Sequence, residues 1–195
     1  MPLEIRLDWQ GPFGLASAEQ RRTFRPPEQP GVYLWTVGAN RYQISYVGEA
    51  GNISNRMYTH ATSMLGGACY LYKDDHITQG ADPNKSQHWE YRPGLESLVG
   101  QFLSNYEWFS KAAFRNLVGY TFFWAVPVPT VNREIRESIE SAIISAAQEE
   151  SVPIQNVRPS VDRLRARRVH VSNILPSGVT SIHGLRSRCE YGTIE

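Results

Sequence analysis

The sequence predicts an α+β fold, and three observations lead there. Two short runs rich in Val, Ile, Tyr and Trp, GVYLWTV (31–37) and YQISYVG (42–48), are separated only by the four residues 38–41. β-branched and aromatic residues suit a pleated, half-buried surface, and a four-residue loop joins antiparallel neighbours. A third apolar run, LVGYTFFWAV (117–126), reads as a buried strand. Around these runs, apolar residues recur every three to four positions, the spacing of one helix face.

Taken in order, LEIRLDW alternates apolar and polar residues and predicts a short strand closed by Gly11-Pro12. Residues 18–30, charged and broken by prolines, read as a linker. The two runs at 31–48 follow as a hairpin. A helix is expected from Asn52, whose side chain can cap it, with Ile53, Met57, Ala61, Met64 and Leu65 as its stripe and Gly66-Gly67 as its end. ACYLYKDD and HITQG read as a second, shorter hairpin, then comes a polar loop. A helical stretch is expected at about 95–116 and a well-patterned helix at about 133–149. RLRARRVHV reads as a basic strand or an extended arm.

Composition narrows the function classes. The 195 residues are 41% hydrophobic and 11% aromatic, enough for a packed core and against global disorder. Residues 157–195 hold 7 arginines against 3 acidic residues, whereas residues 1–156 are slightly acidic. Arginine suits bidentate contact with phosphate, and equally with carboxylate. Cys69 and Cys189 form no CxxC pair, so neither a disulfide framework nor a cysteine zinc site is expected. The start carries acidic residues where a signal peptide needs an apolar core, and no apolar run is long enough for a membrane span. A cytoplasmic protein without a membrane partner is the expectation. No P-loop, GxSxG, HExxH or dinucleotide fingerprint occurs.

Chemistry gathers in three places. A four-residue hairpin loop sets Val37 opposite Tyr42 and therefore Tyr33 opposite Tyr46, two hydroxyls on one face. Arg56 and His60, four apart on the helix from Asn52, share a face beside the buried stripe. In REIRESIESAIISAAQEE, Glu140 flanks the stripe Ile135, Ile139, Ala142, Ile143 and Ala146, while Glu137 points away and Arg136 is a candidate ion-pair partner for Glu140. Gly31, Gly48 and Gly51 permit close backbone geometry near a substrate.

GVY at 31–33, followed by YVG at 46–48, resembles the two-part signature of the GIY-YIG nuclease family. The resemblance spans about residues 28–157. It extends to Arg56 at the family's catalytic arginine, to His60 one turn later, to Glu140 at the metal-binding glutamate, and to Asn156 in a closing Pro-x-x-Asn segment. It implies a small mixed or antiparallel three-stranded central sheet flanked by helices. Residues 1–27 are then an N-terminal extension, about 66–116 an insertion, and 158–195 a basic C-terminal arm. It also implies a metal-dependent endonuclease. Asn55 replaces a lysine that some members carry beside the arginine, and the insertion leaves substrate preference open.

Hydrolysis of a phosphodiester needs an activated water and charge stabilisation at phosphorus. A single glutamate suits one Mg²⁺, or Mn²⁺, that keeps most of its waters, with Arg56 as a second cationic contact. Tyr33 is the first candidate for the base, assisted by Tyr46 or His60. It requires nearby positive charge, because a free phenol ionises only near pH 10. His60 as the base itself is the alternative. Asn156 suits bracing the site better than chemistry. The expected substrate is DNA, double-stranded, gripped by Arg158, Arg163, Arg165, Arg167 and Arg168 and by Arg21, Arg22 and Arg25. Lys73, His88, Trp89, Tyr91 and Arg92 are the insertion's candidate readers. A compact, restriction- or defence-like enzyme fits this length, and cutting both strands calls for two sites and hence a homodimer. The alternatives are a module of nuclease fold that binds nucleic acid without cutting it, and a nuclease for RNA or single-stranded DNA.

Overall fold

Residues 31–37 are buried along their whole length, because both faces of the strand they form are covered. The computed structural model describes residues 1–38, 41–80, 89–92, 99–156, 159, 161–162 and 165–192. In chain order the elements are β1 (Leu3–Asp8), β2 (Gln10–Gly14), α1 (Ala18–Thr23), β3 (Gly31–Val37), β4 (Gln43–Ala50), α2 (Ile53–Leu65), β5 (Leu71–Tyr72) and α3 (Asp74–Gln79). There follow β6 (Trp89–Tyr91), α4 (Val99–Ser104), α5 (Tyr106–Gly119), β7 (Thr121–Ala125), β8 (Pro127–Val128), α6 (Arg133–Glu149), β9 (Val169–Ile174) and β10 (Arg188–Tyr191).

The molecule is mixed α+β, with helices on both faces of the sheet that carries the two tyrosines. That sheet has four strands in the order β2-β7-β3-β4, all antiparallel, where three were expected. The extra strand comes from QGPFG, which a proline and two glycines made look like a turn. It sits at the sheet edge, where a missing N–H is tolerated. Alternate residues of β3 feed two cores. Val32 and Leu34 pack with α6, whereas Tyr33, Trp35 and Val37 pack with α2 and α5.

A second four-stranded sheet, β10-β9-β1-β8, covers α6 from the other side. β1 lies parallel to β9, with Glu4 opposite His170. The described residues within 1–27 and 158–195 are therefore neither an appended extension nor a free arm. Ile5, Leu7, Val169, Val171 and Tyr191 are buried in the same core as α6. The arginines at 165–168 masked this in the sequence, since they precede rather than occupy the strand VHVSNI.

Three local expectations also change. Within 18–30 a short helix forms, with Ser17 and Gln20 making a reciprocal capping box. Asp74–Gln79 is helical, so the short hairpin pairs Leu71–Tyr72 with Trp89–Tyr91 instead of with HITQG. Leu117–Gly119 finish α5, leaving Thr121–Ala125 as the strand. Helix α6 begins and ends where its periodicity placed it, capped by Asn132.

Candidate active site

β4 is an edge strand, and at that edge α2 approaches on one face and α6 on the other. Tyr33 pairs with Gly48, and Trp35 with Tyr46, so the expected register is off by two residues at Tyr33. Val37 pairs with Gln43, one residue from expectation, and an irregularity between Trp35 and Thr36 leaves Ser45 unpaired. One residue of slip alone would have sent Tyr46 to the opposite face, but the bulge adds a second and restores it. The rings of Tyr33 and Tyr46 lie 6.1 Å apart.

Glycine at position 48 has a steric cause. A Cβ there would collide with the phenol end of Tyr33, which lies over this backbone. At Gly31 a Cβ would stand 2.5 Å from the Ala125 carbonyl oxygen, so β3 and β7 approach closely only with glycine. Gly51 differs, because its nearest neighbour would be an Arg136 nitrogen 3.9 Å away, ordinary contact. Its expected steric role is absent.

Asn52 caps α2 by accepting from the Asn55 N–H, and Ile53, Met57 and Met64 are buried beneath it. Ala61 is half-buried and Leu65 exposed, so the stripe is narrower than the sequence suggested. One flank of α2 carries Arg56 and His60 to the tyrosines. Tyr33 Oη and His60 Nε2 are 2.8 Å apart. The Arg56 guanidinium lies close enough to act by charge on both phenols, and the two phenols act on each other. Trp35 packs edge-on against His60 at 5.5 Å and against Tyr46 at 6.3 Å, closing the back of the cluster.

Burial sets the protonation states. Burial first, then the Arg56 charge, lowers the His60 pKa to about 4, so the imidazole is neutral near pH 7 rather than a cation. Burial, then Tyr46, pushes the Tyr33 phenol far above its ordinary range, and the Arg56 cation opposes this without overcoming it. Tyr46 is raised by burial and then by the Glu140 charge. Tyr33 has no exposed surface, whereas Tyr46 and His60 are half-buried. Tyr33 thus stands behind Tyr46, not in front of it.

Helix α6 brings Glu140, 5% exposed, close enough to act by charge on both phenols. Arg136 takes a different partner from the one expected. It donates to Glu49 Oε2 at 3.0 Å and to the Val131 carbonyl at 3.1 Å, fastening α6 to β4. Glu137 pairs with Arg133 on the surface. Asn156 accepts from the Val47 N–H at 2.8 Å and donates to the Val47 carbonyl at 2.9 Å, standing in for a missing strand along β4. It is a brace, with both ends of its amide engaged. Gln155 donates to Tyr120 Oη at 2.7 Å, and its N–H donates to the Ser45 carbonyl at 2.6 Å, holding the bulge.

Among the described residues, no three or more His, Cys, Asp and Glu side chains converge into a metal cage. Arg165 and Arg167 are exposed, and Arg168 half-buried; Arg167 pairs with Glu134 at 3.3 Å. Arg158 and Arg163 lie outside the described residues, as does His88. Arg21 and Arg25 are occupied with the carbonyls of Leu15, Ala16 and Phe24. Sequence reasoning missed Glu49, Gln155 and Trp35. Glu49 could have been found as the acid beside YVG, while the other two carried no local signal.

The chain matches no protein-family profile, no curated protein and no solved structure. No helix among the described residues is long and apolar enough to cross a membrane.

Proposed function

We propose that this protein is a GIY-YIG-type endonuclease that hydrolyses phosphodiester bonds in DNA. One observation carries the reading: Tyr33, hydrogen-bonded to His60 and neighboured by the half-buried Tyr46, lies within reach of the Arg56 charge and beside the buried Glu140. Groups whose protonation is shifted by burial beside a specific charge cluster at functional sites, and His60 beside Arg56 is such a group.

The arrangement suggests a proton path. Tyr46, the half-buried phenol, takes the proton of the attacking water while passing its own to Tyr33. Tyr33 passes its proton to His60 Nε2, the imidazole carrying its other proton on Nδ1. No free tyrosinate forms, which fits the raised Tyr33. Tyr33 is therefore the middle of the path, and His60 its end. Arg56 holds the non-bridging oxygens and opposes their growing charge. Glu140, a buried carboxylate beside the phenols, would hold one Mg²⁺. Bound there, the ion supplies positive charge at the phosphate and the leaving oxygen. The exposed Arg165 and Arg167 are suited to phosphate contact, with Arg158, Arg163 and Arg168 near them in sequence.

The test is cleavage of duplex and single-stranded DNA and of RNA, with Mg²⁺ and with EDTA. Glu140→Ala should abolish cutting and leave binding intact, and Arg56→Ala should slow it by about 10²–10³-fold. A wild-type protein that binds DNA but cuts nothing would leave a binding module. Cutting of RNA or single strands alone would change the substrate.

A further inference from the structure

The flank of α2 turned away from Arg56 and His60 carries Tyr58, Thr62 and Leu65, with Tyr58 72% and Leu65 39% exposed. Beside it, α5 carries Tyr106, Ser110, Phe114 and Leu117 along one line, with Tyr106 49% and Phe114 50% exposed. Apart from Arg56 and His60, α2 has no ionisable group other than Tyr58. On α5, Glu107 and Lys111 pair with each other, and Arg115 pairs with Asp74 and Glu90. Aromatic enrichment with depletion of charge is the composition of an interface centre.

Where the two helices meet lies an apolar cavity of about 260 Å³, walled by Leu15, Phe24, Trp35, Met57, Ala61 and Leu117, with Tyr58 at its mouth. An apolar cavity of about 150 Å³ already accepts a benzene ring. Phe114 stands one helical turn before Leu117, so an exposed phenyl ring and a phenyl-sized hole occupy the same patch.

We infer that the α2–α5 face is a homodimer interface in which Phe114 of each copy enters the α2–α5 cavity of the other. A two-fold interface uses one patch twice and must be complementary to itself. This patch holds both the projection and its receptacle, and the charges of α5 beside it are paired within the same copy. A different partner would need only one of the two. The arrangement would place two copies of α2 next to the dimer axis, with their Arg56–His60 flanks turned away from it. The inference does not depend on the nuclease reading, because assembly is measured without any substrate.

Sedimentation velocity of the full chain, from about 1 to 100 μM, decides it. The wild type should sediment as a dimer at the upper end. Phe114→Lys and Tyr58→Lys should each sediment as a monomer, with far-UV circular dichroism unchanged. Trp108→Lys, an exposed aromatic on the other flank of α5, should remain dimeric. A monomeric wild type at about 100 μM, a dimer indifferent to Phe114→Lys, or equal dissociation by Trp108→Lys overturns the proposal.

Discussion

At the scale of single residues, protonation decides what the site can do. His60 is neutral down to about pH 4 in the folded chain, against about 6.5 when unfolded. Between those values the unfolded chain binds a proton that the native one refuses, so stability should rise with pH across this window. Thermal melts from pH 4 to 7 check this, and His60→Gln should flatten the slope. If His60 ends the proton path, the acid limb of kcat/KM should lie near pH 4 and not near 6.5. Tyr33→Phe, Tyr46→Phe and His60→Gln should each cut far more slowly, and their combinations little more so, since groups acting as a unit are not additive. Normal activity of Tyr33→Phe alongside an inactive His60→Gln would instead make His60 the direct base. Gly48→Ala, which drives a methyl into the Tyr33 ring, should cost about 1–3 kcal/mol of stability together with most of the activity, as denaturation and cleavage assays would show. Arg56, His60 and Glu140 were legible because helix periodicity fixes a face from spacing alone. The complete burial of Tyr33 was not, because it depends on what covers the strand.

At the scale of elements, the site depends on one bulge and one amide. Tyr46 shares a face with Tyr33 only because Ser45 is left unpaired, and Gln155 holds that bulge. Loop length alone gave the correct face through a register two residues out, with the bulge supplying the compensating slip. Asn156→Ala strips Val47 of two hydrogen bonds on an unpaired strand edge, and should lower stability by about 1–3 kcal/mol. Urea titration measures this. Asn156→Asp should fail as a rescue, since a carboxylate cannot donate to the Val47 carbonyl. Helix α6 lies where it was expected, at about 133–149, because its apolar period is regular throughout. The pairing of Arg136 with Glu49 was invisible locally, since the partners are 87 residues apart.

At the scale of the whole molecule, two sheets share α6. Ile5 and Leu7 of β1 lie in one core with Val169 and Val171 of β9. Leu7→Ala should therefore cost about 2–5 kcal/mol, although it lies in what the sequence presented as an extension. A chain lacking β9 and β10 should lose its cooperative melt, whereas a detachable basic arm would leave the melt unchanged and weaken only nucleic-acid binding. Calorimetry separates these outcomes.

The sequence by itself determined the α+β class, the approximate span of α6 and the faces that carry Arg56, His60 and Glu140, because these follow from local periodicity. Tertiary structure alone decided which phenol meets solvent, that the imidazole stays neutral, and that both chain ends build one sheet. Each of those depends on burial or on pairing between distant segments, and neither leaves a mark in any short stretch of residues.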